Sequence, residues 1–326
     1  MLIKAAEPSA AFSIFFSEVV FLKEIKTVGL IGLGALGTLY SHLLTRGIGK
    51  DSVLVLADHE RVRRYEEEGI FFNGERCDFN YVDAASCTRK LDLLLFCTKF
   101  SGLEDSIRAC RHLVTPETTI VSVLNGISSE EVLGRTFLPQ QIVWCIAQKM
   151  TAKKEGNRVT VRPVGELALG VPAGQDRSHL DRLAAFLSGI DFPHSLPDDI
   201  RTHMWSKLLC NVGTNQPTMV FQCGFGGLQV PGKPREIMFA SMREVVAVAN
   251  AEGIPLSEED VRHWVSVVDS FPPESETSMR QDGKAHRKSE VDLFAGTIRR
   301  YAAKHGIPVP ANDWLYEEVH RIEAEY

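Results

Sequence analysis

The chain has no CxxC pair, no HExxH and no comparable ligand spacing among its ten histidines, so no zinc or other metal site is expected. Its seven cysteines (Cys77, Cys87, Cys97, Cys110, Cys145, Cys210 and Cys223) are odd in number, and Cys97 lies inside the apolar run LLLFCTK. Buried free thiols in a reducing, cytoplasmic setting are expected, not a disulfide framework. Positive charge is not in excess: 36 Lys+Arg face 42 Asp+Glu, for a net charge of −6. A nucleic-acid partner would need a basic stripe and is not expected, although a local basic pocket for an anion is still allowed. No apolar run is long enough to span a bilayer, so no membrane partner is expected. The opening MLIKAAEPSAAFSIFFSEVVFLKE places Glu7 before its apolar stretch and Glu18 after it, with no small-residue cleavage site. It reads as an extension over residues 1–25 rather than a signal peptide. Internal repeats are lacking, and only PPESETS is of low complexity.

What is present is an ordinary globular composition, 44% hydrophobic and 24% charged, over 326 residues, enough for two domains. KTVGLI (26–31), VLVLAD (53–58), LDLLLFCTK (91–99) and TTIVSVLNG (118–126) are continuous apolar strands. Helices are expected at TLYSHLLTRG, ending at Gly47, at HERVRRYEEEG, closed by Gly69, and at SGLEDSIRACRHL. Continuous apolar strands alternating with helices imply a parallel sheet covered on both faces. IFFNG and CDFNYV are strand-like, and IVWCIAQKM and a hairpin RVTVRPVGELALG are expected to continue the sheet. After about residue 197 helical periodicity takes over. The fold class is therefore α/β: a Rossmann-like doubly wound sheet over 26–196, then a mostly α-helical domain over 197–326.

Gly32, Gly34 and Gly37 form GxGxxG between the first strand and the first helix, with Ala35 and Leu36 completing the loop. In that context, with an acid about twenty residues on at Asp58, the motif predicts dinucleotide binding. The helix N-terminus offers free N–H groups to the phosphates. Asp58 can accept from a ribose 2′-hydroxyl and would repel a 2′-phosphate, which favours NADH. Arg61, Arg63 and Arg64 follow on the next turns and can offset that repulsion.

In WSKLLCNVGTN (205–215), Lys207, Asn211 and Asn215 recur every four residues, which stacks them on one helix face. A lysine with two amides is usually a solvated face, but it also suits a site that grips something polar.

GLGALG at 32–37, CTK at 97–99, LNG at 124–126, WSKLLCNVGTN and SMRQDGKAHRKSEVDLFAG at 278–296 together resemble ketopantoate reductase, from about residue 26 to the C-terminus. The resemblance implies reduction of 2-dehydropantoate (ketopantoate) to pantoate, as in pantothenate biosynthesis, by hydride from NAD(P)H in a cleft between the two domains. It implies that Lys207 is the catalytic lysine and that Glu290 acts with it, either holding its ammonium or accepting from a substrate hydroxyl. Asn125, Asn211, Asn215 and Ser278 match substrate-binding positions, with Asn125 beside the nicotinamide, and Lys99 matches a lysine near the cofactor. The chemistry agrees, since hydride arriving at a carbonyl carbon leaves charge on oxygen that an ammonium can neutralise and protonate.

Other roles remain open for some of these residues. Asn125 can cap its turn, Lys99 can be a snorkelling surface lysine, and Ser278 can cap the next helix. Asp282 is assigned to the loop. The family commonly favours NADPH and often has a basic residue where Asp58 stands. A D-2-hydroxyacid dehydrogenase acting on another branched or aromatic 2-keto acid is the nearest alternative, and a non-catalytic NAD(P)H-binding regulator a further one. A small 2-keto acid is the expected partner, and a homodimer is compatible with the sequence.

Overall fold

The structure, a computed structural model, describes residues 22–326. The expected N-terminal extension lies outside the described residues up to position 21. Ile25, assigned to that extension, is buried.

Val28–Ile31 (β1), Val53–Ala57 (β2), Leu93–Phe96 (β6) and Thr119–Ser122 (β7) are buried along their whole length. Strands covered on both faces cannot alternate polar and apolar residues, which is why these segments read as unbroken apolar runs. Two-residue Phe71–Phe72 (β3) and Glu75–Arg76 (β4) precede Asn80–Asp83 (β5). Ile142–Gln148 (β8), Ala152–Glu155 (β9), Arg158–Val161 (β10), Glu166–Gly170 (β11) and His194–Ser195 (β12) complete the strands among the described residues. The main sheet runs β12-β11-β8-β7-β6-β1-β2-β5. From β1 the chain winds outward through β2 to β5, then returns to β6 on the other side of β1. The strand order therefore reverses between β1 and β6, and the crevice at their C-terminal ends is where open α/β sheets bind ligands.

Two expectations are corrected. RVTVRPVGELALG is not one hairpin: β10 pairs with β9 and β3, whereas β11 pairs with β8. The actual hairpin is β9–β10, which joins β3 and β4 in a separate four-stranded sheet, order β4-β3-β10-β9. Of IFFNG and CDFNYV, only Asn80–Asp83 enters the main sheet. That sheet is mixed, because β11 runs antiparallel to β8.

Ala35–Ile48 (α1), His59–Glu68 (α2), Leu103–Cys110 (α3), Ser129–Leu133 (α4) and Ser178–Gly189 (α5) accompany the sheet. The helical part begins with Ile200–Val220 (α6), whose N-cap Asp199 accepts from Arg201 N and Thr202 N. Gly226–Gln229 (α7), Lys233–Ala251 (α8), Glu258–Ser270 (α9), Ser278–Lys284 (α10), Thr297–His305 (α11) and Pro310–Glu323 (α12) surround it. One hydrophobic cluster spans both parts: Ile146 and Ala168 of the sheet share it with Leu208, Leu209 and Val212 of α6. That packing sets the face of α6 bearing Lys207 against the end of the sheet. No helix of the described residues is long and apolar enough to cross a membrane.

Candidate active site

The glycine loop between β1 and α1 is shaped by close approach. Gly32 has φ +102°, and a Cβ there would stand 2.7 Å from the Cys97 carbonyl carbon. A Cβ at Gly37 would run into the Gly32 carbonyl oxygen, so only hydrogen fits between helix and turn. Gly34 differs: the nearest atom to its Cβ position is 3.8 Å away. Gly34 is also the N-cap of α1 and supplies no side-chain cap. The first N–H groups of α1, at Ala35 and Leu36, thus lack a side-chain acceptor, and both residues line open space, which fits a bound pyrophosphate. The loop opens into a cleft of ≈ 1120 Å³ that also reaches Asp58, Lys99, Asn125, Ser278 and Glu290.

At one end of this cleft, Asp58 caps α2. Its Oδ1 accepts from Arg61 N at 2.8 Å, and its Oδ2 lies 3.5 Å from Arg61 Nε. Of the three arginines expected to offset the Asp58 charge, Arg61 is the one in contact with it. Arg64 lines the cleft beside Arg61, while Arg63 pairs with Glu67 at 3.9 Å.

At the other end, α6 and the sheet meet. Lys207 Nζ donates to Ala147 O of β8 at 2.5 Å and to Asn125 Oδ1 at 3.2 Å. Asn125 Nδ2 in turn donates to Glu290 Oε2 at 3.2 Å. Lys207 and Glu290 are therefore linked through Asn125, not by the direct contact sequence reasoning allowed. Nor does the Asn125 side chain spend its bonds on capping its own turn. Burial lowers the Lys207 pKa, opposed chiefly by Cys145 and also by Glu290. Burial raises the Glu290 pKa, opposed first by the Asn125 hydrogen bond. Both shifts follow from taking charge out of water. Glu290 lies two residues before a π-helical turn, Asp292–Gly296, which is held to α6 where Ala295 N donates to Gln216 Oε1 at 3.0 Å.

The remaining polar positions divide. Asn211 Nδ2 is buried without a partner, an unused donor one turn from Lys207. Such an atom is costly to leave unpaired, which suits an oxygen supplied by a ligand. Asn215 Oδ1 is already engaged, accepting from Ser278 Oγ at 2.9 Å and Met279 N at 3.3 Å. It ties α10 to α6 and orients Ser278. The cap of α10 is Thr277, whose side chain accepts from Arg280 N; Ser278 is the first helical residue instead.

Asp282, which sequence reasoning left to the loop, is buried and pairs with Lys99 at 2.9 Å and Arg287 at 2.9 Å. Lys99 also donates to Lys288 O at 3.2 Å. Lys99 is therefore not a loose surface lysine: it spans the cleft from the sheet to α10. Asp282 and Lys154, a further lining residue, were missed because nothing in their local sequence marks them; their roles arise from contacts 183 and 121 residues away.

This arrangement can do specific chemistry. A dinucleotide fits between the orphan N–H groups of α1 and the Asn125 loop. Behind it, the Lys207 ammonium and the unpartnered Asn211 amide are two donors one helical turn apart on α6.

Known proteins share this chain's sequence and fold. The family description "Ketopantoate reductase PanE/ApbA" matches residues 28–174, and its C-terminal counterpart matches residues 199–323. The chain is 32% identical over 301 residues to 2-dehydropantoate 2-reductase of Shigella flexneri, covering 92% of this chain and 96% of that one. It is 30% identical, with the same coverage, to the Salmonella typhimurium enzyme of that name. Among solved structures, a PanE/ApbA family ketopantoate reductase from Ralstonia eutropha JMP134 superimposes with TM-score 0.80 at 25% identity, covering 92% of this chain and 99% of that one. D-mandelate dehydrogenase with NADH and anilino(oxo)acetate shares the fold, with TM-score 0.82 at 24% identity over the same shares.

Proposed function

The chain belongs to the ketopantoate reductase family, and from that premise we propose that it reduces 2-dehydropantoate to pantoate, the step that serves pantothenate biosynthesis. The observation that carries this reading is the linked set Lys207–Asn125–Glu290, of which Asn125 and Glu290 line the cleft that the glycine loop opens into.

Gly32, Gly34, Ala35, Leu36 and Gly37 would hold the pyrophosphate, and Asp58 would lie at the adenosine ribose. Lys99 and Asn125 would hold the nicotinamide end. The nicotinamide, NADH or NADPH, supplies the hydride when bound. Lys207 directs its ammonium at the keto oxygen and donates the proton as the alkoxide forms. Asn125 and Ala147 O fix that ammonium, so little reorganisation is needed as charge develops. Asn211 donates to a substrate oxygen, and Ser278, oriented by Asn215, offers a hydroxyl on the facing wall. Glu290 accepts from the substrate's own hydroxyl, which separates 2-dehydropantoate from keto acids that lack one. Residues 26–196 and 197–326 act as the cofactor and substrate domains.

Steady-state kinetics with 2-dehydropantoate, phenylglyoxylate and 2-ketoisovalerate, each with NADH and NADPH, test the proposal. The highest kcat/KM is expected for 2-dehydropantoate. A preference for phenylglyoxylate would assign the chain to a D-2-hydroxyacid dehydrogenase activity, and no turnover of any keto acid would leave a binding protein.

A further inference from the structure

Glu290 stands in a bend between α10 and the π-helical turn, and the chain on both sides of it is held by α12. Before it, Lys284 to Lys288 are exposed, and His286 takes a left-handed φ of +48°. Little local structure fixes this stretch. From the sheet, Lys99 donates to Lys288 O at 3.2 Å. From α12, Glu323 Oε1 accepts from Ser289 N at 2.7 Å. After Glu290, Asp292 Oδ1 accepts from Tyr316 Oη at 2.8 Å and lies 3.7 Å from His320 Nε2. Tyr316, His320 and Glu323 recur at helical spacing, so one face of α12 brackets Glu290. Just beyond that helix, the Tyr326 ring stacks on His286, with centroids 5.1 Å apart. Glu323 is an unusual residue for its place. Its side chain is 4% exposed, and it sits in the last turn of α12, where the helix dipole opposes an anion. Its Oε2 is 3.9 Å from His320 Nδ1, so its short contact is the N–H next to Glu290.

We propose that Glu323 is a positioning residue for Glu290: by holding the Ser289 N–H it sets where the Glu290 carboxylate stands, and so sets selectivity for keto acids that carry a hydroxyl. The inference rests on the reading that Glu290 accepts from the substrate's hydroxyl. Glu290 Oε2 is occupied by Asn125 Nδ2 at 3.2 Å, which leaves Oε1 for that hydroxyl. Its placement depends on the backbone that carries it. Ser289 Oγ accepts from Val291 N at 3.3 Å, and Glu290 O accepts from Leu293 N at 2.9 Å, but both bonds lie within the bend and turn with it. The Glu323 bond ties the bend to a separate helix. A carboxylate bonded to a backbone N–H is a charge-assisted contact, stronger than a neutral one. Without it, rotation about the Ser289–Glu290 backbone would swing the Glu290 carboxylate, and a misplacement of about 1 Å is enough to weaken a positioned contact. Glu323 touches neither Glu290 nor the cleft lining, so it acts only through the chain.

The test is steady-state kinetics on the full chain with 2-dehydropantoate and with 2-ketoisovalerate, which has the keto acid but no hydroxyl. Glu323→Ala should raise KM for 2-dehydropantoate by roughly fivefold or more and change KM for 2-ketoisovalerate by less than about twofold. Glu323→Gln keeps an acceptor oxygen for the Ser289 N–H and should restore most of the loss. In a Glu290→Ala background, Glu323→Ala should add less than about twofold for 2-dehydropantoate, because residues acting through one contact are not additive. Equal rises in KM for both keto acids would make Glu323 a general structural residue and overturn the proposal. Additive losses in the double variant, or an unchanged KM in Glu323→Ala, would overturn it equally. A loss in Glu323→Gln as large as in Glu323→Ala would assign the effect to charge and sink the hydrogen-bond route. A parent with no preference for 2-dehydropantoate would sink the reading of Glu290 itself and this inference with it, a result seen before any variant is made. Melting curves of each variant show that it folds.

Discussion

Lys207 and Glu290 are joined through one amide: the lysine donates to Asn125 Oδ1 and Asn125 Nδ2 donates to the carboxylate, each at 3.2 Å. Three groups from three distant segments thus share one line of polarity. Asn125 can make both bonds because an amide carries a donor and an acceptor on the same carbon. The ammonium is held without a direct ion pair, so its charge is not already neutralised by the carboxylate when a substrate oxygen arrives.

Lys207→Ala should lower kcat far more than it weakens cofactor binding, because the ammonium matters most as charge develops. The loss of a positioned proton donor typically costs ~10²–10⁴-fold. Stopped-flow or steady-state turnover gives kcat, and fluorescence titration gives cofactor affinity. Turnover within about threefold of the parent would remove Lys207 from the proton-donating role.

The pH profile carries the same signature. Burial lowers the Lys207 pKa from 10.5, so its neutral form gains ground at a lower pH than for a free lysine. The proposed mechanism needs the ammonium, so kcat/KM for 2-dehydropantoate should fall on the alkaline side with an inflection below 10.5. The low residual activity of Lys207→Ala should lack that limb. An alkaline limb retained in the variant would assign it to another group.

The ion pair between Lys99 and Asp282 links the sheet to α10 across the cleft. The cleft is walled by both parts, so if cofactor and substrate share it as proposed, their joint binding should compact the protein. 2-Dehydropantoate should bind tightly only after the nicotinamide cofactor, read by calorimetry. Small-angle scattering should show a smaller radius with both ligands, and Asp282→Asn should reduce that change. Equal substrate affinity with and without cofactor would contradict a shared cleft.

Glu130, at the start of α4 just beyond the Asn125 loop, is buried with Ser129 Oγ donating to its Oε2 at 3.0 Å. Burial raises its pKa from 4.5 to about 7. The folded state therefore favours the protonated acid. This contribution to stability is fully present below 4.5 and is lost as pH rises through about 7. Glu130→Gln should melt close to the parent at acid pH and above it at alkaline pH, measured by thermal unfolding in matched buffers. A constant gap across that range would mean that Glu130 does not titrate in this way.

The sequence by itself determined the sheet and the cofactor loop. Strands buried on both faces must be unbroken apolar runs, and the glycine spacing of GLGALG is demanded by backbone contacts within one turn, so both are local signals. It also carried the family, because WSKLLCNVGTN and the Ser278 to Glu290 stretch keep recognisable residues at short, fixed separations in the chain. What only the tertiary structure decided depends on long-range contact. The β9–β10 hairpin left the main sheet because its inward residues pack toward α1 and β3, a choice that alternation alone cannot make. Asn215 became a brace for Ser278, Asp282 a partner of Lys99, and Lys154 a neighbour of the glycine loop. Each of these roles is fixed by a partner far away in the chain, and a hydrogen bond across such a distance leaves no periodic or compositional trace in the residues that make it.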